Sequence, residues 1–84
     1  MMVIKYFSWI KEHIGKSEEN IILPSHIKNV DQLIKYLNEM DEKYNLIFKK
    51  KEIIKIAVNK KYSSFDADIK NSDEIAFFPP VTGG

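Results

Sequence analysis

Apolar and polar residues alternate at the start of the chain, as they do in a strand that buries one face. Residues 3–9 are rich in β-branched and aromatic side chains and predict a first strand. The alternation places Ile4 and Tyr6 on one face of this strand, whereas Phe7 and Trp9 point to the other face.

A period of three and four residues begins at Val30 and predicts the principal helix of the fold. Asn29 is a suitable N-cap, because its side chain can accept a hydrogen bond from a backbone N–H of the first turn. A shorter helix is predicted earlier, at residues 10–14, where Gly15 fits the left-handed closing position. Residues 44–48 suggest one further turn or short helix. The apolar stripe of the principal helix consists of Val30, Leu33, Ile34, Leu37 and Met40.

The remaining regular segments predict strands. A tight turn at residues 59–61 leads to a short return strand that begins at Tyr62. Pro79 ends the last strand, because proline cannot donate to a ladder. The predicted order is strand, short helix, strand, long helix, strand, short strand and strand, which indicates an α+β fold with one mixed sheet and a principal helix across it. The three longer strands after the first are residues 19–23, 53–59 and 74–78.

Composition indicates a single small globular domain, with 84 residues of which 44% are hydrophobic and 30% charged. The net charge of +1 argues against nucleic acid as a main partner, since phosphate binding needs a clustered basic excess. No apolar run approaches the length of about 18 residues that indicates a membrane span, and the N-terminus lacks a secretory signal pattern. We therefore expect a cytoplasmic protein.

Cysteine is absent from the chain, which excludes disulfides, thiolate metal sites and cysteine nucleophiles. The two histidines, His13 and His26, belong to no cluster with the spacing of metal ligands. No phosphate loop or nucleophile elbow is present either. We expect no metal, no bound cofactor and no active site formed by side chains of this chain.

The C-terminal residues are the strongest candidates for chemistry. Pro79 and Pro80 fix an extended backbone that carries the chain away from the sheet. The four residues that follow span at most roughly 14 Å, and the last two, Gly83 and Gly84, have no β-carbon and can enter a narrow channel. Residues 1–78 are therefore predicted to form the folded domain and residues 79–84 a flexible tail that ends in a reactive carboxylate.

A carboxylate is a poor electrophile, and adenylation by ATP would give the carboxylate of Gly84 a good leaving group. A sulfur donor could then displace AMP and leave a terminal thiocarboxylate, which is ionised at neutral pH and more nucleophilic than a carboxylate. This chemistry requires no cysteine in the carrier, in agreement with the composition.

Three aromatic residues are candidates for a protein interface beside the tail. If Ile75 and Phe77 face the core, Phe78 faces outward just before the tail, and Phe7 and Tyr62 can share that outer face. The alternative is that some of these rings fill the core, because a small domain needs most of its aromatic side chains there.

These features resemble the ubiquitin-like β-grasp sulfur carriers, in particular the small subunits of molybdopterin synthase. The resemblance covers essentially the whole chain. It is most specific in the Phe-Pro-Pro-x-x-Gly-Gly ending, since the related thiamine sulfur carriers share the two glycines but usually lack the two prolines. The segments that carry it are residues 57–59, 64–65 and 73–84, together with Tyr6, Phe7 and Gly15.

The resemblance implies that Gly84 is adenylated by an E1-like enzyme that uses ATP, then thiocarboxylated, and that Gly83 threads the tail into the large synthase subunit. There the sulfur would pass to a cyclic pyranopterin in a heterotetramer. The family places its hydrophobic contact with the large subunit at Phe7, Tyr62 and Phe78, although Tyr62 departs from the aliphatic residue often found there. We expect the tail residues Pro79, Pro80, Val81 and Thr82 to contact the partner as well.

Other functions remain open from the sequence. The same activated terminus could join the chain to lysines as a ubiquitin-like modifier, or could carry sulfur in another pathway such as thiamine synthesis. The simplest alternative is a binding domain whose tail has no chemical role.

Overall fold

The computed structural model describes residues 1–80, and within them it confirms an α+β fold with a mixed sheet. The predicted tail residues Val81, Thr82, Gly83 and Gly84 lie outside this range. In chain order the elements are β1 (Met2–Tyr6), α1 (Ser8–Ile14), β2 (Glu18–Ile21), α2 (Val30–Met40), α3 (Glu42–Phe48), a 3₁₀ turn (Lys51–Ile53), β3 (Lys55–Val58), β4 (Lys61–Ser63) and β5 (Glu74–Phe78).

The last strand lies in the middle of the sheet, whose order over the described residues is β2-β1-β5-β3-β4. It pairs in parallel with β1, where Ile4 lies beside Ile75, and antiparallel with β3, where Ile56 lies beside Phe77. β2 and β4 pair antiparallel with β1 and β3 and form the two edges. The first two strands of the chain are thus antiparallel neighbours.

One face of the sheet and the inner sides of the helices form the core. Leu33 and Leu37 of α2 are fully buried, as the periodic stripe predicts, and Ile10 of α1 is buried with them. The predicted stripe is wrong at its last residue, Met40. This residue ends α2 and remains 52% exposed. Burial of this apolar layer supplies the main driving force for the fold.

The start of α2 is capped in two ways. The side chain of Asn29 accepts a hydrogen bond from the backbone N–H of Gln32 at 2.9 Å, which confirms the predicted N-cap. The backbone N–H of Asp31 donates to the carbonyl of Phe65 at 2.9 Å, so the loop before β5 lies against the helix N-terminus. This loop leads the chain from the sheet edge at β4 back to the centre of the sheet.

The first strand is shorter than its sequence predicts. It ends at Tyr6, and the prediction that Trp9 continues it is wrong, because Trp9 belongs to α1. The N–H of Phe7 donates to the carbonyl of Phe77 at 3.1 Å, and Ser8, with a φ of 57°, then turns the chain into the helix. Gly15, with a φ of 91°, closes α1 in the left-handed conformation that was predicted.

Two other strands are also shifted or shortened. β2 spans Glu18–Ile21 rather than residues 19–23, and β3 spans Lys55–Val58 rather than residues 53–59, since Ile53 belongs to the 3₁₀ turn. The last strand matches its predicted bounds, Glu74–Phe78.

Candidate interaction face and tail exit

The two faces of the sheet have different surroundings. The inner face packs against the helices, and there Ile75 and Phe77 of β5 have no exposed surface. Their neighbours Ala76 and Phe78 point to the outer face and are half-buried. Alternation along β5 therefore gives the outcome that was predicted, with Phe78 on the side away from the core.

Tyr62 and Phe78 form an aromatic pair on this outer face. Their ring centroids lie 5.7 Å apart with the planes tilted by 51°. The pairing register explains the contact, because Ala57 lies between Tyr62 on one neighbouring strand and Ala76 on the other. Alanine side chains are too small to separate the two rings, and Tyr62 remains 79% exposed. The structure thus brings together two of the three aromatic residues predicted for an interface.

Phe7 lies at the same end of the sheet. Tyr6 is paired with Phe77, so the next residue of each strand, Phe7 and Phe78, are neighbours in the parallel register. Phe7 keeps an extended backbone and is 47% exposed. All three predicted aromatic residues therefore border the point where the chain leaves the sheet, and none of them is fully buried in the core.

An open groove of about 400 Å³ follows the start of the tail. Pro79 is half-buried and Pro80 is exposed, and Pro80 forms part of the groove wall. The groove is lined by Lys55, Ile56, Tyr62, Ser63, Phe78 and Pro80. A partner side chain that enters it would contact both the aromatic pair and the first residues of the tail.

The backbone that carries the tail is held from both sides. Residues of β5 pair with β1 over Val3–Tyr6 and with β3 over Lys55–Val58. Asn59, in the turn after β3, adds side-chain bonds: its Nδ2 donates to the Asp73 carboxylate at 2.9 Å, and its Oδ1 accepts from the N–H of Glu74 at 2.9 Å. The start and the register of β5 are therefore fixed, which fixes the exit point of the tail.

Charged side chains are unevenly distributed over the outer face. Lys5 of β1 lies 3.4 Å from the carboxylate of Glu74, so this lysine is paired. Lys55 lies beside Phe78 in register and is exposed at the groove. The sequence prediction missed Lys55, although its alternation with Ile56 on β3 already placed it on the solvent side.

A second set of residues that the prediction missed lies on the inner side. The hydroxyls of Tyr6 and Tyr44 both donate to Oε2 of Glu19, at 2.5 and 2.6 Å, and Lys16 donates to Oε1 at 3.2 Å. Burial alone would raise the pKa of Glu19, but these hydrogen bonds and the lysine charge outweigh it and lower the pKa. Burial, reinforced by the Glu19 carboxylate, raises the pKa of both tyrosine hydroxyls. This cluster stabilises the folded domain and is not part of the tail exit.

Within residues 1–80, no group of three or more histidine, aspartate or glutamate side chains has an arrangement that could hold a metal ion.

None of the helices in the described part of the chain has the length and apolar composition required to cross a membrane.

Comparison with known proteins gives a consistent result over the full length. The model of the ThiS family matches residues 4–84. The molybdopterin synthase sulfur carrier subunit of Dictyostelium discoideum is 41% identical over 83 residues, covering 96% of this chain and 93% of that protein. The subunit of the same name from Haemophilus influenzae is 32% identical over 84 residues and covers 100% of both chains.

Among solved structures, a Pyrococcus furiosus protein assigned as subunit 1 of a molybdopterin converting factor superposes with a TM-score of 0.75. It is 32% identical in sequence, and the match covers 95% of this chain and 97% of that one. The predicted β-grasp fold is confirmed by this similarity and by the sheet order. The chain therefore belongs to the ThiS family of ubiquitin-like β-grasp proteins, in the branch of the molybdopterin synthase sulfur carrier subunits.

Proposed function

We propose that this chain is the sulfur carrier subunit of a molybdopterin synthase and that the carboxylate of Gly84 is the group that carries the sulfur. The observation that supports this most directly is the position of β5, which leads from the centre of the sheet into Pro79 and Pro80 beside an exposed aromatic pair. The names of the full-length relatives point to the same role.

The chemistry takes place in two stages at one carbonyl carbon. The carboxylate of Gly84 attacks the α-phosphorus of ATP, pyrophosphate leaves, and an acyl-adenylate forms. A sulfide equivalent then attacks the carbonyl carbon and expels AMP, which leaves a thiocarboxylate and releases a proton. In each transfer the thiocarboxylate sulfur attacks an electrophilic carbon of a cyclic pyranopterin and displaces an oxygen leaving group, which gives a thioester. Water then hydrolyses the acyl–sulfur bond, which leaves the sulfur on the pterin and restores the Gly84 carboxylate, so the carrier can be loaded again.

Two protein partners follow from this sequence of steps. An E1-like enzyme binds ATP and adenylates Gly84, since the sequence of this chain contains no phosphate loop. A large synthase subunit then receives the tail and holds the pterin, in an assembly of two small and two large subunits. We place both encounters in the cytoplasm, with no membrane and no nucleic acid involved.

The outer face serves as the docking surface in this proposal. Phe7, Tyr62 and Phe78 supply exposed or half-exposed aromatic area around the tail exit, which is typical of residues that dominate binding energy. Pro79 and Pro80 direct the chain away from the sheet. Beyond them, Val81 and Thr82 contact the partner's channel, and Gly83 allows the terminus to thread through its narrowest part.

Intact-mass measurement tests the proposal. The protein is incubated with ATP, a sulfur source and the cognate activating enzyme, and the expected product has one oxygen of the terminus replaced by sulfur. Loss of that product when ATP is omitted is the control. A terminus that stays unchanged under all conditions would contradict the proposal.

The same experiment, together with an assay of molybdopterin formation with the large subunit, separates the alternatives. A ubiquitin-like modifier would give higher-mass adducts on lysines of other proteins, and a carrier for thiamine synthesis would be thiocarboxylated but would fail to restore molybdopterin formation with the large subunit. The inert-tail alternative predicts no mass change.

A further inference from the structure

The groove at the tail exit combines two aromatic rings with a single charge. Among the residues that line it within positions 1–80, Lys55 has the one charged side chain. The ion pairs of this part of the chain involve Lys5, Lys16 and Lys51, so Lys55 has no carboxylate partner among the described residues. By complementarity, the groove favours an occupant that is apolar along its length and carries one negative charge.

The last four residues of this chain have that chemistry. Val81 is apolar, Thr82 presents a methyl group, and Gly83 and Gly84 have no side chain to obstruct a close approach. The single negative charge of this segment is the α-carboxylate of Gly84. The carboxylate that the proposed function uses for sulfur loading is therefore also a suitable partner for Lys55.

The tail is long enough to reach the lysine. Lys55 and Phe78 are partners across the antiparallel ladder, so their Cα atoms lie about 5 Å apart. The step from Phe78 to Pro80 spans at most about 7 Å, which places the backbone of Lys55 within about 12 Å of Pro80. The four residues after Pro80 span up to roughly 14 Å. Because Pro80 forms part of the groove wall, the tail begins at the groove itself.

We propose that residues 81–84 of the isolated carrier rest in this groove, with the carboxylate of Gly84 against the ammonium group of Lys55 and Val81 against Tyr62 and Phe78. Connectivity selects this occupant, because a segment tethered to the groove wall has an effective concentration of about a millimolar without any binding partner. Exposed ion pairs are weak, so the contact opens readily when a partner covers the same face. Between encounters, the tail and the aromatic pair shield each other.

Carbodiimide crosslinking of the isolated chain tests this contact, since the reagent joins a carboxylate to an amine that lies against it. The Gly84 carboxylate and the Lys55 amine form an amide, and the carbodiimide takes up the lost water and becomes a urea. Peptide mapping by mass spectrometry identifies the lysine that is joined to Gly84. We expect Lys55 to be joined at least about tenfold more often than Lys35, an exposed lysine on α2 in the helical layer on the opposite face of the sheet.

Nuclear magnetic resonance of the same protein gives a second measurement, because the rings of Tyr62 and Phe78 would displace the signals of the Val81 methyl groups upfield. A peptide of residues 77–84 is the reference for a tail that is not docked. Lys55→Gln should move the signals toward this reference, whereas the matched variant Lys35→Gln should leave them unchanged. Lys55→Arg keeps the charge and should retain the displacement, although its guanidinium group forms no crosslink.

Three results would overturn the inference. Crosslinks spread evenly over the exposed lysines, or Val81 signals equal to those of the peptide, would leave the groove to a separate partner protein. Crosslinks that join two chains and increase with protein concentration would assign it to a second copy.

The inference rests on the proposed function only in taking Gly84 as the chain terminus, and the two can fail separately. The crosslinking and resonance measurements need neither ATP nor an activating enzyme, so a negative result there leaves sulfur loading untouched. A chain that shows the contact but is never thiocarboxylated would contradict the proposed function alone.

Discussion

The hydroxyl of Tyr44 donates to Oε2 of Glu19 at 2.6 Å and thereby ties α3 to the edge strand β2. Tyr6 of β1 donates to the same oxygen, so one carboxylate joins three elements. Tyr44 is buried, and hydrogen bonds to a charged acceptor are stronger than those between neutral groups. The polar cluster therefore stabilises the β2 edge of the sheet, which lies opposite the β4 edge that carries Tyr62.

Removal of one hydroxyl from this cluster should destabilise the fold. We expect Tyr44→Phe to lower the free energy of unfolding by about 1.5 kcal/mol, the magnitude of a hydrogen bond to a charged group. Urea denaturation measures this change. Tyr36→Phe is the matched control, since Tyr36 is half-buried on α2 and its hydroxyl makes no hydrogen bond to residues 1–80. An equal loss in both variants would show that the Glu19 cluster contributes no specific stability.

The same cluster predicts a dependence of stability on acid pH. The pKa of Glu19 is lowered in the folded protein relative to its usual value of 4.5, so the folded state favours the ionised form. This contribution is present above the unfolded-state pKa and is lost as the pH falls through the lower folded-state pKa. We expect Glu19→Gln to flatten the loss of stability below about pH 4.5, measured as urea midpoints at a series of pH values. A slope identical to that of the wild type would contradict the assignment.

The turn between β3 and β4 contains a residue whose substitution should stabilise the fold. Asn59 and Lys60 both have positive φ, 51° and 69°, as a two-residue turn of type I′ requires. Asparagine tolerates this conformation, whereas lysine is strained in it. Lys60→Gly should therefore raise the free energy of unfolding by about 0.5–1 kcal/mol. Lys61→Gly, one residue further and within β4, should instead lower it. Thermal denaturation of the two variants decides the sign of each change.

Truncation of the aromatic pair should weaken partner binding without loss of the fold. We expect Phe78→Ala and Tyr62→Ala each to cost about 2 kcal/mol of binding free energy to the large subunit, the range of interface hot spots. Titration calorimetry measures the affinity. Ile22→Ala is the control, because Ile22 is 71% exposed and lies beyond the end of β2, away from the tail exit. Affinities that equal that of the Ile22 variant would remove both rings from the interface.

Deletion of Gly84 should abolish sulfur loading and leave stability unchanged. The reacting carboxylate would move back by one residue, while the body that ends at Phe78 keeps all of its strand pairings. Intact mass reports thiocarboxylate formation, and thermal melting reports the fold. A deletion variant that still restores molybdopterin synthesis would refute the role of Gly84.

The parts of the fold that the sequence predicts well are those with a strong local period. The apolar spacing of α2 and the proline after β5 define these elements without reference to their neighbours. The end of β1 could not be located in this way. The N–H of Phe7 donates a hydrogen bond to Phe77 just before the chain turns into α1, and Phe77 lies 70 residues later in the sequence. Helix propensity around Trp9 is weak and gives no warning of that turn.

The candidate site was predictable only in part for the same reason. Alternation along β5 placed Phe78 outward, but its contact with Tyr62 depends on the order of strands across the sheet. Lys55 lies beside Phe78 only because β3 is the neighbour of β5. The two tyrosine partners of Glu19 lie 13 and 25 residues away and carry no local signal. The roles of Val81, Thr82, Gly83 and Gly84 stay predictions.

The central position of β5 has a mechanical consequence. A pulling force applied to Pro79 acts along β5, and it loads the ladders with β1 and β3 in shear. Hydrogen bonds that lie across the direction of force share the load, and β5 has two such ladders, whereas an edge strand has one. If a partner draws the tail into a channel, as proposed, the pull would act on a strand that two ladders hold in place.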